Sequence, residues 1–183
     1  DFGGFDAAAG VAIQADGKIV LAGRGSERFA LARYDTNGGL DPSFGDDGKV
    51  ATQFTGDNIE SANAIAVQAD GKIVVVGEAS DLNSAIFFVA KFNPDGSYDT
   101  TFGDGGWAAI PGLGKSVAIQ PDGKILIAGS NRIIRLTSTG GYDTSFDGDG
   151  VVVVDTTVNG TNELLYDVAV APDGKIVYGG TDN

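Results

Sequence analysis

The segment IAVQADGKIVVVG, residues 65–77, is the key to this chain, because three close copies of it occur elsewhere in the sequence. A period of about fifty residues is typical of repeat architectures, in which each unit forms one supersecondary motif and stacks on its neighbours. The central glycines of the four copies are 51 to 54 residues apart and are Gly17, Gly71, Gly123 and Gly174. The copies read VAIQADGKIVLAG at 11–23, VAIQPDGKILIAG at 117–129 and VAVAPDGKIVYGG at 168–180.

A second phrase follows each of the first three copies. It reads YDTNGGLDPSFGDDG at 34–48, FNPDGSYDTTFGDGG at 92–106 and LTSTGGYDTSFDGDG at 136–150. The fourth copy is not followed by it within the 183 residues. We therefore divide the chain into three full units and half of a fourth, at about 11–54, 64–110, 116–155 and 166–183.

Each unit contains four short segments rich in Val, Ile and Phe, with a hydrophobic period close to two and boundaries of Gly, Asp and Asn, which predicts β-strands. In the second unit we place them at 64–68, 72–77, 86–92 and 107–110. The Asp-Gly between the first two segments predicts a tight hairpin in which the glycine takes a positive φ. Nothing of helical length and period lies between the segments.

Four antiparallel strands in a unit of about 50 to 58 residues are typical of a propeller blade, which buries its faces against the neighbouring blades. We predict an all-β chain that forms a single β-propeller segment of about three and a half blades. A β-solenoid is the main alternative, but its repeats are normally shorter and rarely hold two hairpin turns. Because three and a half blades leave open faces, we expect the ring to be completed by the rest of a longer chain or by a second copy.

Composition excludes several classes of function. The chain has 25 Asp and Glu against 12 Lys and Arg, and its net charge of −13 argues against nucleic-acid binding. Cys and His are absent, which excludes disulfides, thiol nucleophiles, His-based acid–base catalysis and zinc sites built on these residues. The apolar runs are too short to cross a bilayer, so we predict no membrane insertion. Met is absent too, and we expect the sequence to be a processed or excerpted piece of a longer protein.

The two phrases together resemble the delta-60 repeat, a bacterial β-propeller repeat of unknown function. The resemblance rests on Q-x-D-G-K-I-V-x-x-G followed by G-x-x-D-x-x-F-G-x-x-G, and it extends over almost the whole chain. The matching positions in the second unit are Gln68, Asp70, Gly71, Lys72, Gly96, Asp99, Phe102 and Gly103. The third unit departs from the pattern at Asp147, and the fourth at Ala171. The resemblance implies a propeller fold and an extracellular or cell-surface setting, but no activity.

Residues that recur in every unit are best explained by what every blade must do, which is to fold and stack. We predict that Asp70-Gly71-Lys72 and its equivalents serve hairpin geometry and solvation of the rim, with a ring of ligand-facing lysines as the alternative. One glutamine per unit is expected to satisfy backbone groups at a strand end. One cation per unit is placed to pair with an aspartate, and one phenylalanine to anchor the packing. These three sets are Arg33, Lys91 and Arg135; Asp41, Asp99 and Asp143; and Phe44, Phe102 and Phe146.

The acidic, Gly-rich turn at 145–150 has a calcium interpretation. Ser145, Asp147 and Asp149 place oxygen side chains at alternate positions before a glycine, as short calcium-binding loops do. Thr156 stands where an EF-hand loop would have its bidentate glutamate. Plain turn chemistry is the alternative, so the sequence leaves open whether Ca²⁺ is a cofactor; it predicts no other.

Positions that differ between units are the candidates for ligand or partner contacts, because a binding surface needs individual residues and a scaffold needs repeated ones. The segments before the first strands and the loop at 78–84 vary most. Packing between blades is the alternative role of the two aromatic candidates. The contact candidates are Asp57, Asn58, Glu60, Trp107, Asn159, Asn162, Glu163 and Tyr166.

The sequence favours a non-catalytic scaffold or binding module of a larger secreted or cell-surface bacterial protein, with a protein or carbohydrate partner. The alternative is a calcium-dependent propeller hydrolase or lyase that uses carboxylates in the central channel. Such an enzyme would need Asp, Glu or Lys as its acid or base, and no pair of carboxylates stands apart from the repeated turns.

Overall fold

The computed structural model describes residues 2–54, 59–80, 85–154 and 164–181. They form fourteen strands and no helix, so no helix that could cross a bilayer is found among them. In chain order the strands are β1 Asp6–Ile13, β2 Ile19–Gly25, β3 Arg28–Tyr34, β4 Lys49–Thr52, β5 Ile59–Val67, β6 Ile73–Ser80, β7 Ala85–Phe92, β8 Trp107–Ile110, β9 Ser116–Ile119, β10 Ile125–Gly129, β11 Arg132–Leu136, β12 Val151–Val153, β13 Leu164–Val170 and β14 Ile176–Thr181.

The strands form three four-stranded antiparallel sheets and one two-stranded sheet, each with its strands in chain order. We number these sheets as blades 1 to 3 and as the half-blade. The first strands β1, β5, β9 and β13 contact one another in series and therefore form the inner layer. This arrangement confirms the predicted all-β propeller architecture.

The hairpin between the first two strands of each blade has the predicted geometry. Gln14 accepts a hydrogen bond from Gly17 N–H and donates its own N–H to the Lys18 carbonyl. Gly17 has a φ of 84°, and its equivalents Gly71, Gly123 and Gly174 lie within one degree of that value. This is a three-residue hairpin loop that closes with a left-handed residue, which a glycine adopts without steric cost.

The hydrophobic core lies between the blades. Along β6, Ile73 and Val75 face blade 1, while Val74 and Val76 face blade 3, and all four are fully buried. Both faces of a central blade are thus covered, which explains the nearly continuous apolar run in this strand. The third cluster joins blade 3 to the half-blade through Leu126, Leu165 and their neighbours.

The inner strand of blade 2 is longer than the alternation of its sequence indicates. β5 begins at Ile59, five residues before the predicted start, and its first residues pair with the end of β6. A register shift between Ala62 and Ala64 leaves Asn63 as an extra residue. Such a bulge changes the phase of the period-two pattern, and it hid this part of the strand in the sequence.

Candidate functional site

An ion-pair cluster in blade 2 joins the hairpin before β6, the end of β7 and the segment that follows β7. Lys72 Nζ lies 2.8 Å from Asp99 Oδ2, and Lys91 Nζ approaches the same oxygen at 3.6 Å. The other carboxylate oxygen, Asp99 Oδ1, accepts hydrogen bonds from the hydroxyl and the N–H of Thr101. Lys91 Nζ also lies 5.8 Å from the centre of the Phe102 ring, so the repeated phenylalanine packs beside the repeated cation.

The same cluster recurs in blades 1 and 3 with arginine in the place of Lys91. Asp41 Oδ2 lies 2.8 Å from Arg33 Nε, and Asp143 Oδ2 lies 2.7 Å from Arg135 Nε. The hairpin lysines Lys18 and Lys124 reach these aspartates at 2.9 and 3.0 Å, while Ser43 and Ser145 take the role of Thr101. The same ion-pair cluster is thus repeated in the three complete blades.

The clusters hold their carboxylates in the ionised form. Burial by itself would raise the pKa of Asp99, but hydrogen bonds from Lys72 and Thr101 outweigh it and lower the pKa to about 2. A hydrogen bond from Lys18 lowers the pKa of Asp41, and one from Ser145 lowers the pKa of Asp143, well below the ordinary range in both cases. The hydrogen bond to Asp99 also raises the pKa of Lys72. Charged, paired groups with such shifts are poor acids and bases near neutral pH.

The half-blade contains the same hairpin lysine without the rest of the cluster. The Lys175 side chain is 81% exposed, whereas that of Lys72 is 29% exposed. Lys175 Nζ contacts Asp173 of its own turn at 2.6 Å. The hairpin alone therefore does not bury its lysine.

Neighbouring blades are joined by hydrogen bonds from the same repeated residues. Gln14 Nε2 donates to the Gly71 carbonyl at 3.3 Å, and Arg33 Nη1 donates to the Pro94 carbonyl. The N–H of Gly45 donates to the Asp95 carbonyl at 2.8 Å. Each donor belongs to blade 1 and each acceptor to a turn of blade 2.

Blade 2 makes the corresponding three contacts with blade 3. Gln68 Nε2 donates to the Gly123 carbonyl at 3.5 Å, and Lys91 Nζ donates to the Ser138 carbonyl at 3.1 Å. The third contact runs from the N–H of Gly103 to the Thr139 carbonyl at 2.9 Å. Glutamine, cation and Phe-Gly are thus the donors with which one blade holds the next.

Comparison with protein families identifies the repeat. Residues 14–44, 68–102 and 120–146 match the model described as a domain of unknown function (DUF5122) β-propeller, and together these segments span about half of the chain. The chain belongs to the DUF5122 β-propeller family. The three matches fall on blades 1, 2 and 3, and each contains the hairpin lysine, the cation and the aspartate of the ion-pair cluster.

Solved structures also resemble this DUF5122 chain. A protein assigned as a gluconolactonase matches with a TM-score of 0.38 and 13% identity, over 94% of this chain and 70% of its own. Virginiamycin B lyase from Staphylococcus aureus matches with a TM-score of 0.40 and 10% identity, over 94% of this chain and 69% of its own. No curated protein matches the chain significantly.

Most of the roles predicted for the repeated DUF5122 residues are confirmed. The cations at the ends of the third strands pair with the predicted aspartates, and Phe44 and Phe102 are fully buried. The glutamines Gln14 and Gln68 do satisfy backbone carbonyls, but those of the next blade. The prediction that the hairpin lysines solvate the rim is wrong for Lys18, Lys72 and Lys124, which fold back onto the aspartates 19 to 27 residues later. The exposed Lys175 of the half-blade fits it.

The calcium candidates of blade 3 serve the turn in this structure. The Ser145 hydroxyl donates to Asp143 Oδ1 at 2.7 Å, and Asp149 Oδ1 accepts the Val151 N–H at 2.8 Å. Asp147 has a φ of 54°, in the left-handed region that Gly45 and Gly103 take in the other blades. Among the described residues, no group of three or more His, Cys, Asp or Glu could hold a metal ion. Calcium binding by this turn stays a prediction.

Three of the predicted contact residues lie in the described part of the chain. Glu60 is fully buried, and both of its carboxylate oxygens accept the Phe54 N–H, at 2.7 and 2.9 Å. Trp107 is half-buried, with its ring centre 5.8 Å from that of Phe54. Tyr166 is 49% exposed on the inner strand β13. The other candidates, Asp57, Asn58, Asn159, Asn162 and Glu163, lie outside the described residues.

Tyr166 lies at a distinctive position of the inner layer. The register of β13 against β14 shifts between Leu165 and Asp167, so Tyr166 is the extra residue of a bulge. Asn63 has the same position in β5, where its side chain donates to the Gly114 carbonyl of the next blade at 3.0 Å. A β-bulge changes the direction of the side chain of its extra residue. Here the two bulges place the non-repeated residues Asn63 and Tyr166 at equivalent positions of their inner strands.

Two grooves lie on the face that carries the hairpin turns. The first, of about 460 Å³, runs between blades 1 and 2 and is lined by Gln14, Arg33 and Asp95 among others. The second, of about 480 Å³, lies between blades 2 and 3 beside Gln68 and Gln120. Both are lined largely by repeated residues, several of which hold the blades together.

Proposed function

We propose that this DUF5122 segment is a non-catalytic β-propeller module that acts as a scaffold and presents a binding surface formed by its non-repeated residues. The proposal rests on the observation that the buried charged side chains make structural contacts. Within the described residues, the buried charged side chains are Arg33, Asp41, Glu60, Lys91, Asp99 and Asp143. Each of them holds strands, loops or blades together.

General acid–base catalysis needs at least one ionisable group that is free to exchange a proton. The aspartates of the ion-pair clusters do not meet this condition, because each is paired with two cations and accepts hydrogen bonds from a Ser or Thr. Threefold repetition supports the same conclusion, since a reacting centre requires one particular arrangement. These arguments favour the scaffold over the calcium-dependent hydrolase or lyase, which no contact in the described residues specifically supports.

Recognition is best supported around Tyr166. Aromatic side chains that are half exposed contribute a large contact area with little loss of conformational entropy, and they are enriched where proteins and sugars are bound. Tyr166 combines such exposure with a bulge in the inner layer, where the sequence does not repeat. Its partner in this proposal is a protein or a carbohydrate.

The setting in the proposal is a larger secreted or cell-surface bacterial protein. It rests on the resemblance of Gln68, Asp70 and Lys72, with Asp99 and Phe102, to the delta-60 repeat. Net negative charge fits a partner other than nucleic acid.

The test has a catalytic arm and a binding arm. The purified chain is assayed for turnover of lactone, ester and polysaccharide substrates with and without Ca²⁺, and it is probed on an array of immobilised carbohydrates with Tyr166→Ala as the variant. The proposal expects no turnover above buffer and a carbohydrate signal that Tyr166→Ala weakens at least about tenfold. Asp104→Asn, in an exposed turn, is the control. Saturable turnover by the folded chain, with or without Ca²⁺, would contradict the proposal.

A further inference from the structure

Three consecutive inner strands carry an extra residue at the same position. In β5 and β13 the extra residues are Asn63 and Tyr166, as the two register shifts show. Directly before β9 it is Lys115, whose N–H donates to the Ala128 carbonyl at 2.8 Å, while the next residue, Ser116, pairs with that same Ala128. Two residues opposite one are characteristic of a β-bulge. The repeat thus places an amide, an ammonium group and a phenol at equivalent positions of neighbouring blades.

Hydrogen bonds between the inner strands hold these positions side by side. Asn63 Nδ2 donates to the carbonyl of Gly114, the residue before Lys115, at 3.0 Å. The hydroxyl of Ser116, the residue after Lys115, donates to Asp167 Oδ1 at 2.7 Å. The side chains therefore form one row across three neighbouring inner strands, which we call the inner row. Its members are Asn63, Lys115, Tyr166 and Asp167.

The cation of the inner row is not used by the fold in the way that the repeated lysines are. Lys18, Lys72 and Lys124 are half-buried, and each lies against an aspartate. Lys115 is half-buried too, but no hydrogen bond or ion pair of its ammonium group is found in the part of the chain that the structure describes. A cation that is partly removed from water interacts more strongly with an anion than a fully exposed one does. Lys115 is therefore placed to pair with an anionic group of a ligand.

The other members of the inner row specify the rest of the ligand. Tyr166 is 49% exposed, and its ring provides a flat surface for the apolar face of a sugar ring. The carboxylate of Asp167 is exposed, and carboxylate oxygens accept hydrogen bonds from hydroxyl groups. We propose that the inner row binds an acidic carbohydrate, whose sugar ring packs on Tyr166 and whose carboxylate pairs with Lys115. This inference rests on the proposed function and names the class of its ligand.

Other ligands fit the inner row less well. The centre of a protein–protein interface is apolar and depleted of charged residues. In the inner row, Tyr166 is accompanied by an amide, an ammonium group and a carboxylate, and the equivalent extra residue of β1 is the small Ala9. A nucleic acid presents many phosphates, whereas the row holds one cation in a chain with a net charge of −13. An acidic sugar needs one cation, one ring surface and hydrogen-bond acceptors, which the row contains.

The test compares acidic sugars with their neutral esters. Binding of the chain is measured to immobilised oligosaccharides of galacturonic, glucuronic and mannuronic acid, and to the same oligosaccharides after methyl esterification, which removes the charge and keeps the rings. Lys115→Met removes the ammonium group at similar side-chain length, and Lys115→Arg keeps a positive charge. Lys175→Met is the matched control, because it changes the net charge equally in an exposed hairpin. Circular dichroism checks that each variant is folded.

The inference expects at least one acidic oligosaccharide to bind, with an affinity that falls at least about tenfold on esterification and by a similar factor in Lys115→Met. Lys115→Arg and Lys175→Met should stay within about threefold of the parent chain. Equal binding of acid and ester, binding by Lys115→Met that matches the parent, or no binding of any acidic sugar would overturn the inference. A neutral sugar that still binds and is weakened by Tyr166→Ala would leave the proposed function standing in each of these cases.

Discussion

Lys72 Nζ and Asp99 Oδ2 lie 2.8 Å apart although 27 residues separate the two positions in sequence. The lysine belongs to the hairpin between the first two strands, and the aspartate follows the third strand. One contact therefore ties the inner part of blade 2 to the part beyond its third strand. It recurs as Lys18 with Asp41 and as Lys124 with Asp143.

We predict that Asp99→Asn lowers the free energy of unfolding by about 2 to 4 kcal/mol, because two cations lose the carboxylate that compensates their burial. Urea denaturation followed by circular dichroism measures the change. Asp104→Asn removes the same charge from an exposed turn and should stay within about 0.5 kcal/mol of the parent. Equal effects of the two substitutions would mean that the cluster does not stabilise the blade.

The hairpin lysines provide a comparison within one molecule. Lys72→Met should cost about 1 kcal/mol, whereas Lys175→Met should cost less than about 0.5 kcal/mol because Lys175 is exposed. Both substitutions change the net charge by the same amount, so long-range electrostatics cancel in the comparison. Thermal unfolding of the two variants gives the difference, and a larger cost at Lys175 would contradict the assignment.

Stability should fall at acid pH. The pKa values of Asp41, Asp99 and Asp143 are lowered in the folded state, and that of Asp99 is lowered to about 2. Their contribution is therefore fully present above the ordinary aspartate pKa of about 4 and is lost as the pH falls toward 2. Urea midpoints measured from pH 7 to pH 2 test this, with Asp99→Asn expected to show the shallower decline. A decline that begins near pH 6 would point to other groups.

Gly103 of blade 2 and Asp147 of blade 3 occupy the same position in the turn after the repeated phenylalanine, so each can be replaced by the residue of the other blade. Gly103 has a φ of 55°, and a Cβ at this position would lie 2.2 Å from the Trp107 carbonyl oxygen. Gly103→Asp should therefore destabilise the chain by at least about 2 kcal/mol. Asp147→Gly should instead stabilise it by about 0.5 kcal/mol, because glycine accepts a positive φ without steric cost. Chemical denaturation of both variants tests whether their signs are opposite.

The cation at the end of the third strand makes different hydrogen bonds in blades 1 and 2. Arg33 Nη1 donates to Gln14 Oε1 at 3.4 Å, whereas Gln68 Oε1 is buried and has no hydrogen-bond partner among the described residues. Lys91→Arg should supply that donor and raise stability by about 0.5 to 1 kcal/mol. Arg33→Lys should lower stability by at least as much, because it also weakens the contact with the Pro94 carbonyl. A destabilised Lys91→Arg would contradict this account.

Much of the fold was predictable because the repeated phrase shows the length and the boundaries of the structural unit. Four occurrences of one phrase separate the residues that every blade needs from those that one blade has, and hairpin glycines such as Gly71 follow from turn chemistry alone. The extension of β5 to Ile59 was hidden by the bulge at Asn63, since the alternation on which strand prediction relies is broken there.

The partners of the repeated side chains were only partly predictable. Arg33 and Asp41 are close in sequence, and their pairing follows from the hairpin-like return of the chain. The pairing of Lys72 with Asp99 requires the register of β6 against β7, and the hydrogen bond from Gln68 requires the position of the next blade. The only signal in the sequence was that lysine recurs in every unit, which hairpin geometry alone does not explain.

The measurement that tests the central claim most directly is a double-mutant cycle on Lys72 and Asp99. The claim is that the repeated polar residues act as structural pairs. Lys72→Met, Asp99→Asn and the double variant are unfolded in urea beside the parent chain, and the coupling free energy is taken from the four values. We predict a coupling of at least about 1 kcal/mol between the two positions, since they share one contact. Additive effects, with a coupling below about 0.3 kcal/mol, would contradict the claim.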